Sequence, residues 1–156
     1  MEQAVFPGTF NPPTIGHLDI IERASKLVKT LYVAVGNNPK KSKQEATIEK
    51  RLEWLKLITS NLPNVQVVSF EGLLADFARI NGIKVAIRSI RGALELEQET
   101  MQAKMNKAMT GLETLFIPSD LPYISSSLVR EVAVNKGPIE AFVPYSLVKD
   151  ILIAYS

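Results

Sequence analysis

Phe6-Pro7-Gly8-Thr9-Phe10-Asn11-Pro12-Pro13-Thr14-Ile15-Gly16-His17 is the stretch on which the reading of this chain turns. A short apolar run, Gln3 to Phe6, precedes it and reads as a strand. Apolar residues with helical spacing follow it at Leu18, Ile21, Ala24, Leu27 and Val28. The loop thus joins the carboxyl end of a strand to the amino end of a helix. In an open α/β sheet that junction receives ligands, because free backbone N–H groups and the positive end of the helix dipole point at it. The guest that suits it is an anion. Gly8 permits close approach to the backbone, Thr9 and Thr14 offer hydroxyls, and Gly16 lets the His17 imidazole lie against whatever occupies the helix start. Pro7, Pro12 and Pro13 restrict their own φ and the residue before each. The same residues also read as a rigid connector whose histidine caps a helix.

Outward from this loop, strands and helices alternate. Thr30 to Val35 is a continuous apolar run, the pattern of a strand buried on both faces. Gly36-Asn37-Asn38-Pro39 breaks it, and Lys40-Lys41-Ser42-Lys43 follows. Thr47 is a candidate N-cap for a helix to Asn61 that carries Trp54, a residue better suited to packing or a subunit contact than to ligand stacking. Val65–Phe70 reads as the third strand, and Leu73–Ile80 as a helix stopped by Asn81-Gly82. Ile83–Ile87 reads as the fourth strand, running into a basic loop, Arg88-Ser89-Ile90-Arg91-Gly92. A long helix from Leu94 to Thr110 ends at Gly111, and Thr114–Ile117 is the fifth strand. Ser125-Ser126-Ser127 opens a helix through Val134, and Pro144 starts the last one.

Such alternation predicts a Rossmann-like, doubly wound five-stranded parallel sheet with helices on both faces and closing C-terminal helices. The expected crevice lies where the winding reverses, between the first and fourth strands. That would bring residues 7–17, 88–92 and the helix start at Ser125 to one edge.

The 156 residues suit one domain, 1–156, with a sizeable core. There is no cysteine, so neither a disulfide framework nor a thiolate metal site is open to it, and one histidine argues against a histidine-rich metal centre. A net charge of +2 does not predict a nucleic-acid partner. No apolar run approaches the ~20 residues of a membrane span, and the amino terminus enters a strand almost at once. The expectation is a soluble, cytoplasmic protein whose local positive charge suits a small phosphorylated ligand.

No G-x-x-x-x-G-K-[ST] loop and no G-x-G pair occurs, so neither a P-loop nor a dinucleotide fingerprint is present. Arg88 and Arg91 are able to grip phosphate oxygens bidentately, and Lys41 adds a point charge. Their other reading is solvation or salt bridges to Glu95, Glu97 or Glu99. Ser125 to Ser127 supply an N-cap with spare hydroxyls and free N–H groups. Ser127 and Glu131 are spaced too widely for a capping box.

Gly8-Thr9-Phe10 with Thr14-Ile15-Gly16-His17 resembles the (H/T)-x-G-H signature of the nucleotidyltransferase superfamily. With Lys41, Arg88-Ser89-Ile90-Arg91, Glu99 and Ile124-Ser125-Ser126-Ser127-Leu128-Val129-Arg130-Glu131, the chain resembles the bacterial phosphopantetheine adenylyltransferase family over essentially its whole length. The resemblance implies transfer of the adenylyl group of ATP to 4′-phosphopantetheine, with Mg²⁺ carried by ATP, giving dephospho-coenzyme A and pyrophosphate. It implies contacts from His17 and Thr9 to the α-phosphate, and from Thr9, Lys41 and Arg88 to the phosphate of phosphopantetheine. Arg91, with Ser89 and Ile90, would hold the ATP phosphates, with Phe10 and Glu99 also on the nucleotide side. Ser125, Ser126 and Ser127 would bind the phosphate tail. Leu121, Pro122, Tyr123 and Ile124 would shape the adenine pocket, and Leu73, Leu74, Met105 and Asn106 would line the pantetheine arm. It further implies a homohexamer and feedback inhibition by coenzyme A.

Ser89 stands where the family usually carries glycine, which disfavours a positive φ there. The alternatives are another small-molecule nucleotidyltransferase, acting on nicotinamide mononucleotide or transferring a cytidylyl group, and a nucleotide-binding domain without catalysis.

Overall fold

The computed structural model describes residues 1–37 and 46–156. Strand β1 (Gln3–Gly8) leads into α1 (Ile15–Ser25), then β2 (Thr30–Asn37), α2 (Ile48–Ile58), β3 (Val65–Glu71) and α3 (Leu74–Ile80). The second half runs β4 (Val85–Ile90), α4 (Ala93–Thr110), β5 (Glu113–Pro118) and α5 (Ser126–Val134). A 3₁₀ turn at Tyr145–Leu147 and α6 (Val148–Ala154) close it. The strands form one five-stranded sheet in the order β3-β2-β1-β4-β5, and every neighbouring pair is parallel. Winding reverses between β1 and β4, where Val5 pairs with Ala86. Among the described residues no helix is long and apolar enough to cross a membrane.

Both faces of β1 are buried, which explains its unbroken apolar run. Ala4 and Phe6 face a larger core with Ile20, Ile21, Trp54, Leu55, Val129 and Ile151 from α1, α2, α5 and α6. Val5 faces a smaller one with Ala34, Ala78, Ile83, Ala86 and Leu112. Trp54 is 1% exposed within the larger core, and its Nε1 donates to Asp150 Oδ2 at 3.3 Å, so it packs α2 against α6.

Local chemistry sets most element ends. Thr47 Oγ1 accepts the Lys50 N–H at 3.2 Å, and Ser125 Oγ accepts that of Leu128 at 3.2 Å. Gly82 and Gly111 stop α3 and α4 at φ +67° and +79°, which an L side chain resists. Several boundaries differ from the sequence expectation: β1 runs on to Gly8 and β2 through Gly36 to Asn37, carried by their mutual pairing and by the ladder with β3. Helix α1 ends at Ser25, and Leu27 beyond it is exposed, while Val28 alone returns to the core. Helix α2 ends at Ile58 because the Thr59 hydroxyl donates back to Leu55 O at 2.7 Å. The fourth strand spans Val85–Ile90, so Arg88, Ser89 and Ile90 are strand residues rather than a loop. They pair with Phe116, Ile117 and Pro118, and that ladder with β5 extends the strand beyond its apolar part. Ser89 needs no positive φ there, so the missing glycine carries no strain.

Candidate active site

At the carboxyl edge of β1 and β4 three distant segments are tied together. Arg88 Nη1 donates to Pro7 O at 2.8 Å, and Arg91 Nη1 to Ile124 O at 3.3 Å. Ser126 Oγ donates to Pro12 O at 2.8 Å, and Arg130 Nη1 to Asn11 O at 2.6 Å. These bonds fix the β1–α1 loop between the end of β4 and the start of α5. Together the segments enclose a cavity of about 380 Å³ walled by Thr9, His17, Arg88, Ser89, Arg91, Ser125 to Ser127 and Arg130.

His17 caps α1 and lines the cavity. The Thr14 N–H donates to His17 Nδ1 at 3.0 Å, and the His17 N–H donates to Thr14 Oγ1 at 3.3 Å, a reciprocal cap on α1. With Nδ1 accepting, the ring proton of a neutral imidazole sits on Nε2, the nitrogen left for the cavity. Burial, and then the charges of Arg88 and Arg91, push the His17 pKa down to about 4. At neutral pH the ring is an uncharged donor. Its orientation is locked by Phe10, whose ring lies edge-on at 4.8 Å and is itself 1% exposed against Phe6. The Phe10 side chain is thus core rather than cavity wall.

Arg88 and Arg91 each hold a carboxylate and each line the cavity. Arg88 Nε and Nη2 donate to the two oxygens of Glu99 at 2.9 and 2.7 Å. Arg91 Nε donates to Glu95 Oε2 at 2.9 Å, and Nη2 lies 2.8 Å from the same oxygen. The side chains of both pairs are partly shielded, with 32% and 17% exposure for Arg88 and Glu99. The forks are therefore aimed by carboxylates from the first turns of α4. At the start of α5 the N–H groups of Ser126 and Ser127 have no partner among the described residues, which leaves two donors for an anion.

A second cavity of about 540 Å³ adjoins the first, and Pro7, Gly8, Thr9, Arg88 and Glu99 line both. Its further wall combines apolar Phe70, Leu74 and Ala86 with Gln98, Gln102 and Asn106 of α4. The cavity pair can hold two anions at the shared wall, one with a long partly apolar arm.

The sequence-predicted residues divide accordingly. Thr9, His17, Arg88, Ser89, Arg91, Glu99, Ile124 and Ser125 to Ser127 come together around the first cavity, and Leu74 and Asn106 around the second. Lys41 lies outside the described residues. Leu73 and Met105 are 55% and 59% exposed and wall neither cavity; Leu73 stands at the N-cap of α3, and on α4 the helical spacing presents Gln98, Gln102 and Asn106 to the cavity in place of Met105. Leu121, Pro122 and Tyr123 stand outside both cavities. Leu121 N–H donates to Ser119 Oγ at 3.0 Å and Ile124 N–H to Leu121 O at 3.2 Å, a turn that buries Ile124 and leaves Tyr123 65% exposed. Ile90 is not among the residues that line either cavity; it pairs with Pro118, and its carbonyl accepts the Ser119 N–H at 2.8 Å. Sequence reasoning passed over Glu95, Gln98, Gln102 and Arg130 as site residues. The i, i+4 spacing of the α4 residues was the available signal, but a polar helical stripe reads first as a solvent face.

The chain matches the model of the cytidylyltransferase-like family over residues 5–132. It is 41% identical over 155 residues to a phosphopantetheine adenylyltransferase of Rhizorhabdus wittichii, an alignment covering 97% of this chain and 93% of that one. Its structure is similar to a crystal structure from Vibrio parahaemolyticus provisionally named nicotinate-nucleotide adenylyltransferase, with a TM-score of 0.71 over 99% of this chain and 96% of the other. At 18% identity that likeness speaks for the fold alone. With the signature loop, the paired arginines and the serine-led helix converging on one cleft, the chain belongs to the cytidylyltransferase-like family and, within it, to the phosphopantetheine adenylyltransferases.

Proposed function

We propose that the cleft joins ATP to 4′-phosphopantetheine, releasing pyrophosphate and dephospho-coenzyme A. The observation that carries this reading is the wall common to both cavities, where Thr9 and Arg88 stand between a cationic chamber and a larger, partly apolar one. Phosphopantetheine has the matching shape, with an anion at one end of an arm that bears amides. Gln98, Gln102 and Asn106 suit those amides, and Phe70 and Leu74 suit the methylenes.

The reaction is a direct displacement. A phosphate oxygen of phosphopantetheine bonds to the α-phosphorus of ATP while the bond from that phosphorus to the bridging oxygen breaks, and pyrophosphate leaves. A phosphate monoester is largely ionised at pH 7, so no general base is required. The protein aligns the two anions and neutralises charge as it develops. His17 donates from Nε2 to an α-phosphate oxygen, and Thr9 donates beside it. Arg88, together with Lys41, holds the incoming phosphate. Arg91 and the backbone at Ser89 and Ile90 hold the ATP phosphates, and the start of α5 receives the phosphate tail. Of the residues 121–124 that the family resemblance assigns to the adenine, Ile124 lines the cavity, and the adenine is placed beside it.

Among the described residues no group of three or more His, Cys, Asp or Glu side chains is placed to hold a metal ion, and Glu95 and Glu99 are engaged with arginines. On the family resemblance, Mg²⁺ is proposed to enter already coordinated by the ATP phosphates. A homohexamer, feedback by coenzyme A in the same cleft and a cytoplasmic location go with this reading on the strength of the family resemblance.

The test is a pyrophosphate-release assay that offers phosphopantetheine, nicotinamide mononucleotide and glycerol phosphate in parallel, each with ATP and with CTP. Release from phosphopantetheine with ATP is expected. Release only from nicotinamide mononucleotide or only with CTP would reassign the substrate.

A further inference from the structure

Arg51 of α2 lines neither cavity, yet it holds the loop on which both depend. It is 4% exposed. Its Nη1 donates to Thr9 O at 2.9 Å, while Nε donates to Ala46 O at 3.0 Å and reaches Thr47 O at 3.4 Å. Among the described residues all its partners are backbone carbonyls. A buried guanidinium without a carboxylate is costly, and packing alone would be met at less cost by an apolar side chain. What the guanidinium adds is a fork that sets peptide planes in two segments far apart in sequence.

One of those planes belongs to the site. The Thr9 carbonyl is part of the Thr9–Phe10 peptide, and Phe10 has φ +49°, a left-handed conformation that disfavours a side chain with a Cβ. Such a conformation persists only where its surroundings hold it, and here a charged donor holds the peptide next to it. In a trans peptide the N–H points opposite to the carbonyl. With the Thr9 carbonyl turned to Arg51, the Phe10 N–H is turned the other way, and it has no acceptor among the described residues. Thr9 stands on the wall shared by the two cavities.

We propose that Arg51 is a positioning residue for adenylyl transfer, setting the Thr9–Phe10 peptide so that the Thr9 hydroxyl and the Phe10 N–H both serve the anion where the cavities meet. The proposal rests on the function put forward above.

Its test compares the unmodified chain with Arg51→Met and Arg51→Lys in two measurements: pyrophosphate release, and the Phe10 amide ¹⁵N–¹H resonance titrated with inorganic pyrophosphate. Arg51→Met is expected to lower kcat by about 10²-fold while both KM values stay within about threefold. Arg51→Lys keeps the charge without the fork and is expected to recover about tenfold of that loss. The Phe10 resonance is expected to move with pyrophosphate in the unmodified chain and not in Arg51→Met. Arg51 is only structural if kcat falls solely in proportion to the folded fraction, or if the Phe10 amide responds equally in both. Should Arg51→Met not fold, unchanged kcat in Arg51→Lys overturns the proposal. If the unmodified chain releases no pyrophosphate from this pair, the function falls, and the Phe10 titration alone decides the role of Arg51.

Discussion

Thr14 and His17 cap each other, with the Thr14 N–H on His17 Nδ1 and the His17 N–H on Thr14 Oγ1, and this reciprocity fixes the imidazole at the start of α1. A ring pinned through Nδ1 offers Nε2–H in a fixed direction, so no freedom is lost when a ligand arrives. His17→Ala is expected to lower kcat by about 10²-fold or more. Losing the cap should also lower stability by about 1 kcal/mol. Steady-state kinetics together with a urea melt separate the two effects, and unchanged turnover would leave the histidine as a cap alone.

The lowered His17 pKa predicts a specific pH dependence. From an ordinary value of 6.5 it falls to about 4 in the folded protein, so between those values the unfolded chain binds a proton that the native ring refuses. Stability contributed by neutral His17 is thus complete above about pH 6.5 and declines as pH falls toward 4. Within that window the slope of stability against pH is positive. Urea melts from pH 7 to pH 4 should show that slope, and His17→Ala should flatten it. Turnover should show no ionisation near 6.5 that disappears in the variant.

Glu99 holds Arg88 at 2.9 and 2.7 Å, so on the proposed reading it competes with the incoming phosphate for that fork. Glu99→Gln keeps the size and one acceptor but removes the charge, which should tighten binding of 4′-phosphopantetheine several-fold while kcat falls by about tenfold as the fork loses its aim. Calorimetric titration and kinetics on the same preparation test this opposition. Weaker anion binding would show that Glu99 orients Arg88 without competing for it.

Gly8 is required by a neighbour. A Cβ there would lie 3.0 Å from Phe10 Cε2 and 3.1 Å from Cζ. The Phe10 ring is held between Phe6 and His17 and has little room to retreat. Gly8→Ala is expected to cost about 1–3 kcal/mol and to reduce turnover by displacing the His17 ring. A thermal melt and pyrophosphate release measure both, and wild-type behaviour in both would show that the aromatic cluster yields.

Much of this architecture could be read from residues near one another in the chain. The apolar runs of β1 and β2, the caps at Thr47 and Ser125 and the stops at Gly82 and Gly111 each depend on a few consecutive positions. The alternation they create places the crevice between β1 and β4, because a doubly wound parallel sheet reverses only there. Local chemistry therefore sufficed for the fold, the signature loop and the serine-led helix.

The remainder depends on segments that meet only after folding. Whether Arg88 and Arg91 face Glu95, Glu97 or Glu99 is chosen by the rotation of α4 against β4, which leaves Glu97 outside. The strand register with β5 carries β4 on to Ile90, and the turn after Ser119 carries Tyr123 away from the cleft. Arg51 looks like any charged residue on a surface helix until Thr9, 42 positions away, supplies its carbonyl. Short-range patterns encode element type because a helix or strand is stabilised by its own repeat. The partner of a long polar side chain follows from three-dimensional packing, which no window of the chain contains.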